Sequence, residues 1–276
     1  MKLEGLSVAG LETCIEVPEL RLLLDMGRCT PSAVAYPVVL VSHGHLDHIG
    51  AIAQHAARRT LLSMSPGTYV VPSAVAREVE ELFNAAGKLD GQVIPRRVVP
   101  LQPGELFPLG KQRFVRAFET FHRVPSQGYT VWERRHHLRA EFRSLPGTEL
   151  GELRKRGVAI DELHEVPLLS FTGDTRIEVL ERTPELQCTQ TLLMETTFLD
   201  ELVDVASTRE MGHIHLSEVL DRAELLPQSS VVLSHFSARY NAADVHRILA
   251  ERVPEALRPL LSAFGVGVAS IGADSR

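Results

Sequence analysis

Ser42-His43-Gly44-His45-Leu46-Asp47-His48 follows directly on the apolar run Val38-Val39-Leu40-Val41. Three histidines and an aspartate this close together combine neutral imidazoles with a hard carboxylate, the donor set that zinc favours. If the stretch turns tightly between a strand and a helix, His43 and His45 face one metal while Asp47 and His48 face a second. Downstream, Ile49, Ile52, Ala53 and Ala56 recur at helical spacing on one face of Ile49–Arg59. A strand before the cluster and a helix after it make a more specific context than a solvated polar loop.

The rest of the composition is that of an ordinary soluble globular chain, with 276 residues, 44% hydrophobic and 23% charged. That length suffices to bury a substantial core, and no Gly/Ser linker or internal repeat divides it, so one domain over residues 1–276 is expected. The formal net charge of −6 is unlike a general nucleic-acid binder, so any RNA contact has to be a local patch. Cys14, Cys29 and Cys188 have no paired spacing and suit free thiols in a reducing cytoplasm. No secretory signal, membrane segment or dinucleotide cofactor is expected, and the expected compartment is the cytoplasm.

Read in order, Leu6–Val8, Glu12–Val17 and Arg21–Leu24 form an opening meander. Asp25-Met26-Gly27-Arg28-Cys29 then makes a turn that brings Asp25 and Arg28 towards the end of Val38–Val41. Thr68–Val71 reads as a strand, and Pro72 to about Ala86 as a helix ended by Gly87 and Gly91. Arg113–His122, Val166–Thr172, Thr191–Met194 and Ser230–Leu233 are further strands. Ser217 is the expected cap of one helix, and Asn241 with Asp244 begins another as a capping box.

Five of these strand-like runs end in His43, His122, Asp174, Glu195 and His235. Core packing does not require a ligand-type side chain at each strand end. In α/β folds the carboxyl edge of a sheet is where distant segments converge on a ligand.

With Gly173-Asp174-Thr175, Glu195-Thr196-Thr197, Gly212-His213-Ile214-His215 and His235-Phe236-Ser237-Ala238-Arg239-Tyr240 alongside the first motif, the chain resembles the tRNase Z (ribonuclease Z) family. The plant-type short form is the nearest likeness. This family is a branch of the metallo-β-lactamase superfamily of two-zinc hydrolases. The resemblance implies a four-layer αβ/βα sandwich, two mixed β-sheets flanked by helices, with two zinc ions per chain at one edge. It implies His43, His45 and His122 on one zinc, Asp47, His48 and His235 on the other, and Asp174 between them. It implies Glu195 and His215 as a proton-handling pair, with Asp47 able to steer a proton as well. Arg239 and Tyr240 would lie near the scissile phosphate.

The activity implied is removal of the 3′ trailer of precursor tRNA, with a 3′-hydroxyl left on the tRNA. Homodimers are common in the family. A hydrolase of small esters, thioesters or other phosphodiesters on the same site is the alternative.

Among the remaining histidines, His55 is expected on a helix surface, and His213 is expected to face away from the site. Residues 133–157 gather Arg134, Arg135, Arg139, Arg143, Arg154, Lys155 and Arg156, with few apolar residues among them. They form a weakly packed basic excursion (133–165 in all) and a candidate short tRNA-binding arm. Arg134, Arg135, Arg139 and Arg143 are its candidate RNA contacts, and a solvated charged face is the competing reading.

Overall fold

The computed structural model describes residues 1–265. Its first sheet is built from β1 (Glu4–Ala9), β2 (Glu12–Val17), β3 (Leu22–Leu24), β4 (Val38–Leu40), β5 (Gly67–Pro72) and β6 (Arg96–Leu101). The second takes β7 (Leu106–Pro108), β8 (Arg113–Glu119), β9 (Gln127–Leu138), β10 (Asp161–Phe171), β11 (Thr191–Glu195) and β12 (Val231–Ser234). Then β13 (Phe236–Ser237) crosses back to pair with β1, and β14 (Leu261–Ala263) lies on β12. Among the described residues each sheet has seven strands, and both mix parallel and antiparallel pairs.

Side-chain alternation explains why several strands read as unbroken apolar runs. Leu22, Leu24, Leu40 and Val70 face Val115, Tyr129, Val131, Leu169 and Leu193 in the core between the sheets. Their neighbours Leu23, Val39, Val41, Tyr69 and Val71 face outward under the helices Ile52–Leu61 and Ala76–Asp90. On the other side, Leu192, Met194 and Leu233 pack against Val219 and against Val245, Ile248 and Leu249 of the helix Ala242–Arg252. This is the expected four-layer sandwich.

The expected elements mostly stand, with adjustments. Gly87 lies inside the helix Ala76–Asp90 rather than ending it, and Gly91, at φ 72°, is the left-handed cap that does. Asn241 and Asp244 form the expected capping box.

The 133–157 segment is more ordered than an excursion. Its first residues continue β9, which pairs with β10 from Asp161↔Leu138 inward to Phe171↔Tyr129. The helix Gly147–Lys155, none of whose residues is buried, sits at the tip of the hairpin. The pairing also brings Asp161, Glu162 and Glu165 against the basic strand, so residues 133–165 hold seven basic and seven acidic side chains. Arg134 pairs with Glu165 at 3.3 Å and Arg135 with Glu133 at 2.6 Å. The folded hairpin is electrically balanced.

His55 corrects another expectation, because it is fully buried. Its Nδ1 lies 2.7 Å from the Tyr69 hydroxyl. One turn on, Arg59 donates to the Val34 carbonyl at 2.6 Å. These bonds tie the helix Ile52–Leu61 to the segment before β4 and to β5. Burial, then the Arg59 charge, lowers the His55 imidazole to about 4. Between pH 6.5 and about 4 the unfolded chain therefore binds a proton at His55 that the fold excludes. The contribution is fully present above 6.5 and is lost as pH falls towards 4, with an upper bound of about 3 kcal/mol. His55→Gln should flatten the loss of stability across that window, as read by denaturant unfolding at matched pH values. A variant whose pH dependence matches the wild type's would remove His55 from the account.

Candidate metal centre

The site lies where β4, β10, β11 and β12 end. His43 and His48 follow β4, Asp174 follows β10, Glu195 closes β11 and His235 follows β12. His122 comes from the loop after β8. Two glycines permit the crowding. Gly173 has φ 58°, and a Cβ there would lie 2.5 Å from that of Ser42. A Cβ on Gly27 would lie 1.9 Å from the Asp47 carbonyl oxygen. His235 itself has φ 60°, a conformation uncommon for a non-glycine residue.

Donor atoms gather in overlapping groups, each within 4.8 Å: His43, His45, His122 and Asp174; Asp47, His48 and His235; Asp174, His213 and His235. The two oxygens of Asp174 divide between the first two groups. Oδ2 lies 3.7 Å from His43 Nε2, while Oδ1 lies 3.4 Å from His48 Nε2 and 3.4 Å from His235 Nδ1. Within the groups, His48 Nε2 approaches His235 Nε2 at 3.1 Å, and His122 Nε2 approaches His45 Nδ1 at 3.3 Å.

The hydrogen bonds behind these rings settle which nitrogens are free. His48 Nδ1 donates to Asp25 Oδ2 at 2.6 Å. Asp25 also accepts from the Ser42 amide at 2.6 Å and the Ser42 hydroxyl at 2.7 Å. With its proton committed to Asp25, the Ser42 oxygen accepts from His43 Nδ1 at 2.9 Å. His122 Nδ1 donates to the Gly212 carbonyl at 2.8 Å. In all three rings Nδ1 is taken and Nε2 faces the cluster, the arrangement that orients a metal-binding imidazole. His43 Nε2 and Asp174 Oδ1 are buried with no hydrogen-bond partner among the described residues. Buried polar atoms without partners are costly, and a metal between them is what this donor set fits.

The electrostatics divide the rings: burial opposes the charged form of His48, but the Asp174 and Asp25 carboxylates raise it well above the ordinary imidazole value, while three others are lowered. Burial works against the charged form of Asp174, yet the His235 and His48 imidazoles beside it hold its carboxyl well below the usual range. His43 is pushed well below the ordinary imidazole value by burial and by the neighbouring His48 charge. Burial likewise lowers His45 and His122. These rings stay neutral, as metal ligands must.

The expected Glu195–His215 pair is not formed. Both His215 nitrogens are committed elsewhere. Nε2 donates to the Asp200 carbonyl at 3.0 Å, and Nδ1 accepts from the Ser217 amide at 3.1 Å. His215 is the N-cap of the helix Leu216–Leu220, replacing Ser217 in that role. Glu195 instead holds His213, expected to face away, with Oε1 3.0 Å from His213 Nδ1. Its two oxygens also accept from the Thr175 amide at 3.0 Å and the Thr197 hydroxyl at 2.6 Å.

The His213 ring centroid stands 5.2 Å from that of His122 and 5.7 Å from that of His235. Burial opposes protonation of His213, but the charge and hydrogen bond of Glu195, with Asp174 behind, carry it up to about 9. The signal that could have found it is the spacing. Residues two apart on an extended segment share a face, and the onset of a helix at Leu216 turns the second histidine into a cap.

Of the other candidates, Asp47 accepts from the Gly10 amide at 2.8 Å while facing the cluster. Arg239 is exposed and lies over the Phe198 ring at 5.3 Å, and that ring is 6.5 Å from His213. The Tyr240 hydroxyl donates to Asp200 at 2.9 Å and accepts from the Leu199 amide at 3.2 Å, clamping the segment that also holds His215.

Arg134, Arg135, Arg139 and Arg143 are not brought to the site. β9 leaves the metal edge at Gln127, whose amide bonds the Ser42 carbonyl. At about 3.3 Å per residue it carries Leu138 roughly 36 Å away.

Asp25 is the shared anchor of both ligand groups, so Asp25→Asn is expected to loosen His48 and the Ser42–His43 pair together. Metal affinity should fall about 10–100-fold, measured by competition with a chelator. Unchanged affinity would reduce the role of Asp25 to packing.

Comparison with known proteins agrees with the geometry. The beta-lactamase superfamily domain matches residues 23–236. The metallo-beta-lactamase fold protein YhfI from Bacillus subtilis superposes with a TM-score of 0.61 at 12% identity, covering 95% of each chain. Chloroplastic tRNase Z TRZ2 of Arabidopsis thaliana is 33% identical over 267 residues, covering 95% of this chain and 75% of its own. tRNase Z TRZ1 of the same plant is 40% identical over 245 residues, which are 88% of each chain. By that extent of identity and by its fold, the chain belongs to the tRNase Z family of the metallo-β-lactamase superfamily.

Proposed function

We propose that the protein is an endoribonuclease that removes the 3′ trailer of precursor tRNA, using two zinc ions per chain. The observation that carries this reading is the Glu195–His213 pair at 3.0 Å, set against Asp174 inside the ligand cluster. Hydrolysis that leaves a 3′-hydroxyl must protonate an alkoxide. A carboxylate-held imidazole beside the metal ligands is placed to do so. The tRNase Z relatives supply the substrate class.

His43, His45 and His122 would hold one metal, Asp47, His48 and His235 the other, with Asp174 shared. Metals bound there supply Lewis acidity towards a phosphate oxygen and lower the pKa of an attacking water. His213 then carries the proton from Nε2 to the departing 3′-oxygen, while Glu195 fixes the ring through Nδ1 and steadies its positive charge. Arg239, exposed on Phe198, presents its guanidinium to the phosphate backbone at the rim. The hairpin arginines stand too far off to meet the scissile phosphate, and any contact they make is with the body of the tRNA.

The decisive assay is zinc-loaded protein on a precursor tRNA, with both product ends mapped. A discrete cut leaving a 3′-hydroxyl is expected. Rapid turnover of small esters with intact precursor would instead favour the small-substrate hydrolase.

Elemental analysis of the active protein should find about two zinc per chain; activity with one or fewer would sink the binuclear assignment. His213→Ala should keep both metals yet lower turnover roughly 10²–10⁴-fold. His215→Ala, by contrast, should cost about 1 kcal/mol of stability as a lost cap, with turnover at low temperature reduced far less. The reverse ordering would restore His215 as the proton donor.

A further inference from the structure

Behind the metal loop lies an open hollow of about 670 Å³ that the reaction as described does not use. It is lined by Gly27, Gly50 and Ala51 together with Arg28, Gln54 and Arg58. In a chain of net charge −6, both charged side chains lining it are guanidinium groups.

Neither arginine is fully committed. Arg58 donates through Nη1 to the Cys29 carbonyl at 2.8 Å, and its Nε and Nη2 have no hydrogen-bond partner among the described residues. Arg28 meets Glu12 at 3.1 Å, with the arginine side chain 59% exposed. An exposed ion pair of that kind is weak and readily exchanged for a stronger acceptor. Guanidinium groups offer planar, paired donors that match phosphate oxygens.

The hollow and the metal centre share a wall. Gly27 packs on the Asp47 backbone so closely that no side chain fits between them. The Asp47 carboxylate belongs to the ligand cluster on the far side. The hollow and the donor cluster thus meet at the Gly27–Asp47 contact, the adjacency that a polyanion carrying a phosphate at each would need.

We propose that the Arg28–Arg58 hollow binds a second phosphate of the RNA strand being cut. This rests on the proposed RNA substrate, but the ligand chemistry, a phosphate group, does not. The test uses zinc-loaded wild type, the double variant Arg28→Gln/Arg58→Gln, and Arg28→Lys/Arg58→Lys. Each is assayed on precursor tRNA and on bis(p-nitrophenyl) phosphate across a salt series, and each is titrated calorimetrically with inorganic phosphate.

The glutamine variant should lose about tenfold or more in kcat/KM on tRNA. Its salt dependence should flatten by roughly 0.7–0.9 in slope for each RNA phosphate that the variant no longer neutralises. Turnover of the small diester should stay within about twofold, and the lysine variant should recover part of the loss. Wild type should bind one more phosphate than the glutamine variant, since the metals are common to both.

Unchanged tRNA kinetics would overturn the proposal. So would an equal fall on both substrates, which would mean damage to the Asp47 loop. If wild type does not cut tRNA at all, the RNA reading fails. The phosphate titration then decides the hollow on its own: equal stoichiometry in wild type and variant overturns it, and an extra site in wild type upholds an anion site for a smaller phosphorylated substrate.

Discussion

A carboxylate with no exposure to solvent sits beneath the site, and the rest of the edge is arranged around satisfying it. Asp25 is fully buried. A buried charge is tolerable only when its lone pairs are taken up by good donors. It receives three: the Ser42 amide, the Ser42 hydroxyl and the His48 ring. The first fixes where β4 ends. The second hands the orientation on to His43, and the third sets His48 directly. One desolvated anion thereby couples a histidine from each donor group to the same strand end, so the two groups share a common frame.

Much of this is legible in the chain because the informative distances are short. The first motif spans only a few residues between an apolar run and a helical pattern, and the ligand-type residues punctuate strand ends that apolar periodicity marks. Paired burial of Leu23 against Leu22 and Leu24 is what an unbroken apolar strand of a layered sheet requires. What stays hidden depends on partners distant in sequence. Nothing local to residues 133–157 announces that β10 will lay Asp161, Glu162 and Glu165 alongside and cancel its charge. The spacing of His213 and His215 puts both on one face, but which ring meets Glu195 is decided by where the next helix begins. His55 escapes a local reading for a similar reason: its partner, Tyr69, lies on a strand beyond the helix that carries it.

The displaced histidine still serves the site indirectly. His215 fastens the Asp200 carbonyl, Tyr240 fastens the Asp200 carboxylate, and Arg252 donates to the Leu199 carbonyl at 2.6 Å. Together these bonds immobilise the segment from Phe198 to Asp200, which runs beside Ile214 and Leu216. The His213 ring therefore hangs from a loop whose two sides are both pinned, the preorganisation that the proposed general acid role needs.

The hairpin of β9 and β10 begins and ends at the metal edge, at Gln127 and Phe171, with the helix Gly147–Lys155 at its far tip. Side chains alternate along a strand with a period of two. Lengthening or shortening both arms by matched pairs of residues therefore leaves every inward-facing position, and the ligand that follows each strand end, where it was. Reach and chemistry are mechanically separable in this architecture. The tip can be remade to touch different bodies at different distances while the catalytic edge keeps its register.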